Sequence, residues 1–241
     1  MKNMKWLWML CIMVAGCGLK KQDILYVGTD AEFPPFEYID QDKIVGFDID
    51  LINEIAKFIK KDIKIMNISF DGLIPALQSK KVDLIISGMT ITEDRRKSVA
   101  FSQVYYTSRE QMIILNKTTT DINTLEDLQN KKVGVVLGFT GDILISEMKY
   151  VNVERFNNVS SAILALQAQK VDALVIDFET AHNYVSVHSD LKLVATSSTQ
   201  EDYAIALRLQ DQELLEKINE AITKLKDHGT IGTLYKKYLT E

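Results

Sequence analysis

Ser87-Gly88 and Asp177 close two stretches of the chain that read almost alike. Ile74 to Gly88 runs IPALQSKKVDLIISG and Ile163 to Asp177 runs ILALQAQKVDALVID, identical at seven of fifteen positions at a constant offset. Each stretch reads as a short amphipathic helix, a polar turn and a strand of continuous apolar residues, which is one αβ unit of a parallel sheet. Ligands of open α/β sheets gather beyond the carboxyl ends of the strands. One copy ends in a hydroxyl and a glycine, the other in a carboxylate, so a cleft between the two units is the first place to look for a ligand. Asp30, directly after an expected strand at Ile24–Thr29, puts a second carboxylate at a strand end. Metal chemistry is not expected, because His182, His188 and His228 have no zinc-like spacing with one another or with Cys11 and Cys17.

The elements that must position these groups follow from hydrophobic periodicity. Two copies of the unit suggest two α/β lobes, since a stacked solenoid needs at least three repeats. The 241-residue length suits two modest lobes. Phe33-Pro34-Pro35-Phe36 cannot be helical. Asp48 is expected to cap a helix whose apolar face is Ile52, Ile55, Ala56 and Ile59. Strands are expected near 63–68, 110–115, 132–136, 151–156, 191–195 and 203–207. Gly138-Phe139-Thr140-Gly141 should turn into a helix from Asp142. Further helices are expected over 180–187, 212–226 and 231–238, with His182 and His188 on a helix surface or its end.

Composition narrows the function classes. A hydrophobic share of 46% and a charged share of 25% are those of a globular protein, and a net charge of −5 gives no electrostatic footprint for nucleic acid. Lys2 and Lys5 precede Trp6 to Gly16, an uncharged run too short to span a bilayer but suited to a signal-peptide h-region. The run ends Val14-Ala15-Gly16-Cys17, which resembles a bacterial lipoprotein cleavage box, with Val14 a small departure from the usual Leu. The resemblance implies a signal peptide over 1–16, lipidation at Cys17 and a tether over 17–21. Cys11 would leave with the signal, so no disulfide is expected. Losing Lys2 and Lys5 takes the formal charge from −5 to −7.

An ordered set of segments resembles the polar amino-acid-binding family of extracytoplasmic solute receptors, the substrate-capturing subunits of ABC importers. They are Gly28-Thr29-Asp30 to Pro35-Phe36-Glu37, Val45-Gly46-Phe47-Asp48-Ile49-Asp50-Leu51, and Phe70-Asp71-Gly72-Leu73-Ile74-Pro75-Ala76-Leu77. Ser87-Gly88-Met89-Thr90-Ile91-Thr92 with Arg95 follows, then Asp177, and then Asp227-His228-Gly229-Thr230 to Tyr235-Lys236-Lys237-Tyr238. The resemblance implies the two-lobed, type II periplasmic-binding-protein fold, with two strands crossing at the hinge and a ligand cleft between lobes. Lobe I would be 22–107 plus 203–241, and lobe II 110–200. The implied partners are a free L-amino acid, the permease subunits of an ABC importer and a membrane reached through the lipid anchor. The implied protein is a monomer with no cofactor and no nucleic-acid partner, held outside the cytoplasm.

The same resemblance assigns the site. Arg95 would grip the α-carboxylate with its planar fork, joined by Thr90 and by backbone amides near Gly88 and at Thr140-Gly141, ahead of a helix N-terminus. Asp177 would take the α-ammonium with Ser87 and Gly88, unless it only caps the helix starting near Glu179. Phe33 and Phe70 would sandwich the side chain, and Asp30 would bind its distal polar end, which suits arginine, lysine, ornithine or histidine, with glutamine as the alternative. Two departures stand out: Gly141 replaces a frequent Gln, and Phe139 is bulky for its turn. Glu32 adds a carboxylate near the mouth. A cyclohexadienyl dehydratase of the same fold, using Asp30 or Glu32 as general acid, and a ligand sensor docking on a partner are the competing functions.

Overall fold

The computed structural model describes residues 24–196 and 198–239. The expected signal segment, the Cys17 lipidation and the tether lie outside them. Strand β1 (Ile24–Thr29) leads into a small meander of β2 (Glu32–Phe33), β3 (Glu37–Asp40) and β4 (Lys43–Val45). Helix α1 (Phe47–Ile59) returns to β5 (Asp62–Asn67) and α2 (Phe70–Gln78) to β6 (Leu84–Ile85), followed by the single turn α3 (Glu93–Arg96) and β7 (Ala100–Phe101). Strand β8 (Tyr106–Ser108) carries the chain to β9 (Gln111–Asn116) and, after a 3₁₀ turn, to β10 (Lys132–Val136). Then come α4 (Thr140–Glu147), β11 (Asn152–Phe156), α5 (Val159–Gln167), β12 (Ala173–Asp177), α6 (Phe178–Val187) and β13 (Leu191–Ala195). Strands β14 (Glu201–Tyr203) and β15 (Ala206–Leu207) lead back to α7 (Gln212–Asp227) and α8 (Thr230–Tyr238).

Two five-stranded sheets result, ordered β5-β1-β6-β15-β7 and β11-β10-β12-β9-β13. The first takes β15 from the far side of the segment that builds the second, so the second sheet is an insertion into the first. The antiparallel pair β8–β14 runs between them, with Tyr106 opposite Tyr203 and Ser108 opposite Glu201. In each sheet a central strand pairs in parallel with the strand of a repeated unit: β1 with β6 and β10 with β12. Those strands are fully buried, which is why they read as unbroken apolar runs. Helix α7 buries Ile218, Ala221, Ile222 and Leu225, an i, i+3, i+4, i+7 stripe.

Three local expectations are corrected. Helix α1 is preceded by Gly46 as N-cap with no side-chain cap, because the Asp48 carboxylate is turned inward to accept from the Gly88 amide at 2.9 Å and the Tyr105 hydroxyl at 2.7 Å. Helix α4 starts at Thr140, with Phe139 as its extended N-cap, since first-turn amides need no intrahelical partner and tolerate Thr and Gly. The strand expected over 203–207 is two, because the chain exchanges β8 for β6 and β7 as partners between Tyr203 and Ala206.

Candidate ligand-binding site

Between the two sheets Phe33, Phe70, Ser87, Gly88, Thr90, Arg95, Phe139, Thr140 and Asp177 line one small pocket that is partly open to solvent. Eight residues singled out in the sequence therefore meet at one place, from β2, α2, the turn after β6, α3, α4 and β12. Asp30 and Gly141 are not part of this lining. Gly141 packs so closely on β12 that a Cβ there would lie 2.9 Å from the Val175 carbonyl oxygen. No longer side chain can take that position without moving β12.

Arg95 is the buried member of the Arg95-Arg96-Lys97 run. Its turn is capped by Thr92, whose hydroxyl accepts from the Arg95 amide at 3.2 Å. The guanidinium donates to the carbonyls of Thr90 at 2.6 Å and Gly138 at 2.9 Å, and lies 5.1 Å from the centre of the Phe70 ring. Burial lowers its pKa, opposed by the charges of Glu201 and Asp177; a guanidinium stays protonated through such a shift. Asp177 occupies the N-cap position of α6 without capping it. Its Oδ1 instead accepts from the Tyr203 hydroxyl at 2.8 Å, and burial, with Glu201 adding to it, raises its pKa well above the usual carboxylate range.

Asp30 packs beside two lining residues, Phe70 and Ser87. Its Oδ2 accepts from the Phe70 amide at 3.1 Å, at the start of α2, and its own amide donates to the Ser87 hydroxyl at 2.9 Å. Burial first, and Glu32 next, push its pKa up to about 7, against the lowering effect of the Phe70 amide. Ser87 in turn donates to Glu37 Oε1 at 2.8 Å. Glu37 and Asp48 are both fully buried neighbours, and Glu37 Oε2 and Asp48 Oδ1 have no hydrogen-bond partner. Asp48 is raised to about 6 and Glu37 well above its ordinary value, burial being the leading cause for each. This pair holds the Ser87-Gly88 turn from below. Gly88 itself has φ +49°, and a Cβ on it would come within 2.5 Å of Phe33 Cε1, so only glycine lets the turn and the ring share the space.

Glu201 was missed by sequence reasoning. One of its oxygens accepts from the Thr90 hydroxyl at 2.7 Å and the Thr140 hydroxyl at 2.8 Å, and the other accepts from Gln111 at 3.0 Å. It therefore ties both threonines to the crossing strand β14. Period-two alternation places residue 201 on the same face as the buried Tyr203, but the strand was expected to begin only at Tyr203. Among the described residues no group of His, Cys, Asp and Glu has the arrangement of a metal site. No helix among them is long and apolar enough to cross a membrane.

Residues 25–241 match the pattern of the bacterial extracellular solute-binding proteins, family 3. The chain belongs to that family. Among its relatives is the arginine-binding extracellular protein ArtP of Bacillus subtilis (strain 168), 37% identical over 254 residues, covering 98% of each chain. The arginine-binding protein ArgBP from T. maritima, solved as a P235GK mutant, superposes with a TM-score of 0.88 at 43% identity, over 92% of this chain and 97% of that one. An ancestral arginine-binding protein has been solved with arginine, at TM-score 0.87 and 43% identity, and with glutamine, at 0.87 and 44%. Each covers 90% of this chain and 98% of the other. This family 3 protein thus shares the two-lobed α/β architecture of those receptors, with the cavity between its two sheets.

Proposed function

We propose that the protein captures a free polar amino acid outside the cytoplasm, arginine being the best fit, and delivers it to the permease of an ABC importer. The observation that carries this reading is the placement of opposite charges at the two edges of one small cavity. Arg95 with Thr90 and Thr140 faces Asp177 with Ser87 and Gly88, a spacing of functions that suits a zwitterion's carboxylate and ammonium. Each of those ligand groups is costly to bury without a charged partner. Phe33 and Phe70 offer π faces to a planar cation, and Asp30 stands behind them as its counter-charge. The lobes 22–107 with 203–241 and 110–200 would close on the ligand about β8 and β14; the division of strands between the two sheets supports those limits. The lipid anchor at Cys17 would keep the receptor at the membrane. We read the protein as a receptor and not an enzyme, because every charged group of the cavity has a role in holding a zwitterion.

Glutamine is the second reading, and one observation favours it. A carboxyl with a pKa of about 7 is protonated in a fraction of molecules at neutral pH, and in that form can donate to an amide carbonyl. A thermal-shift panel of the common amino acids, on protein unfolded and refolded to strip captured ligand, tests the assignment. A ligand at a hundred times its Kd adds about 2.7 kcal/mol. Stabilisation by arginine, lysine or ornithine, abolished by Arg95→Ala, is expected; a response led by glutamine changes the substrate, and silence across the panel refutes the reading.

A further inference from the structure

Gly138 and Phe139, just ahead of α4 in the second lobe, reach across to residues of the first, and Thr140 reaches the crossing strand β14. The Gly138 carbonyl accepts from Arg95 at 2.9 Å and the Thr140 hydroxyl donates to Glu201 at 2.8 Å. Between them the buried Phe139 ring meets both rings of the expected clamp. Its centre lies 4.6 Å from that of Phe70 at 67° and 5.4 Å from that of Phe33 at 85°, edge-to-face geometries that are attractive. A planar side chain stacked between Phe33 and Phe70 would need the space this ring takes.

We propose that Phe139 is the gate of the binding site and sets its side-chain selectivity: the ring takes a ligand side chain's place between Phe33 and Phe70, and must turn out before a long one enters. The inference rests on the amino-acid reading above and deepens it. A short ligand uses mainly the Arg95 and Asp177 end and leaves the ring where it is. A long ligand displaces it and loses the two ring contacts from its net affinity. Because Phe139 belongs to one lobe and its partners to the other, the same contacts favour closure.

Isothermal titration and small-angle scattering of the full chain, stripped of ligand, test this with Phe139→Ala and with Phe139→Leu, which keeps more of the apolar volume. Loss of two edge-to-face contacts should tighten arginine binding about tenfold in Phe139→Ala, with a smaller gain in Phe139→Leu and for the shorter glutamine. Without amino acid, Phe139→Ala should have a larger radius of gyration than the wild type. Unchanged or weaker arginine binding by both variants overturns the gate. If neither wild type nor variant binds any amino acid yet the variant still expands, the closure role stands and the amino-acid reading falls. If binding and radius both match the wild type, the gate falls and the reading stands.

Discussion

Lowering the pH should separate arginine from glutamine, and the structure gives the size of the effect. Asp30 is buried, faces Glu32 and Asp71, and has its pKa pushed up to about 7. A cationic side chain needs its ionised form. With a pKa of 7, about nine tenths of Asp30 is ionised at pH 8 and about one per cent at pH 5, so arginine binding should weaken about 90-fold, or about 2.6 kcal/mol, through this group alone. Asp177 is also raised, but in the proposed site it would take the α-ammonium that every amino acid carries, so its titration should weaken arginine and glutamine alike. The signature of Asp30 is therefore the ratio of the two dissociation constants. Glutamine loses nothing at Asp30, because the protonated carboxyl can donate to its amide oxygen. Isothermal titration at pH 5, 6, 7 and 8 should show the arginine-to-glutamine Kd ratio rising close to 90-fold. At pH 6, buffers of different ionisation enthalpy should report about 0.9 more protons released by arginine than by glutamine. Asp30→Asn should flatten the ratio. A ratio constant from pH 5 to pH 8, or the same slope in Asp30→Asn, refutes the role given to Asp30.

Two further outcomes follow from the buried carboxyls and the turn they hold. Asp30, Glu37, Asp48 and Asp177 all have folded pKa values above their unfolded ones, so the folded state binds the extra protons. The stability they add is complete below the unfolded values near 4 and is lost as pH rises through about 6 to 7. The calorimetric midpoint without amino acid should accordingly fall between pH 5 and pH 8; a midpoint that rises over that range refutes the raised values. Gly88→Ala combines a left-handed backbone with a Cβ 2.5 Å from Phe33 Cε1. It should cost about 2–4 kcal/mol in urea unfolding, and a loss under about 0.5 kcal/mol would show that Phe33 can give way.

The internal repeat was the most legible feature because helix, turn and strand agree at each of its positions. Both copies end their helix the same way: Lys80 (φ +61°) and Gln169 (φ +55°) take the left-handed conformation. Lys81 and Lys170 then donate to Ala76 and Ala165, each at 2.9 Å. The polar turn read from sequence is thus a repeated hydrogen-bonding device, and it delivers Ser87-Gly88 and Asp177 to facing strand ends. Residues whose partners are distant in the chain were harder to read. Asp48 sits where a helix cap belongs, and nothing nearby says that it turns inward to Gly88 and Tyr105. Glu201 lies in a polar stretch, Thr199-Gln200-Glu201-Asp202, with the composition of a surface loop. Its partners Thr90, Gln111 and Thr140 come from three other segments.

Charge balance joins the site's chemistry to its choice of ligand. Asp30, Asp177 and Glu201 bring three carboxyls around one cation, Arg95. If all were ionised the cavity would carry two uncompensated negative charges, which a buried site does not tolerate cheaply. A proton relieves that excess, and burial, which raises the pKa values of Asp30 and Asp177, favours taking one up. A ligand with a net positive charge relieves it too, and does so without a proton. A neutral amino acid leaves it unchanged. Protons and cationic ligands would therefore compete for the same electrostatic deficit, so the proposed receptor should favour arginine over glutamine most strongly where Asp30 is ionised. On the proposed reading such a preference would come from the whole arrangement and not from Asp30 alone: Glu201 accepts from Thr90 and Thr140, which would hold them for a ligand carboxylate, while its charge would add to the field that draws a cation.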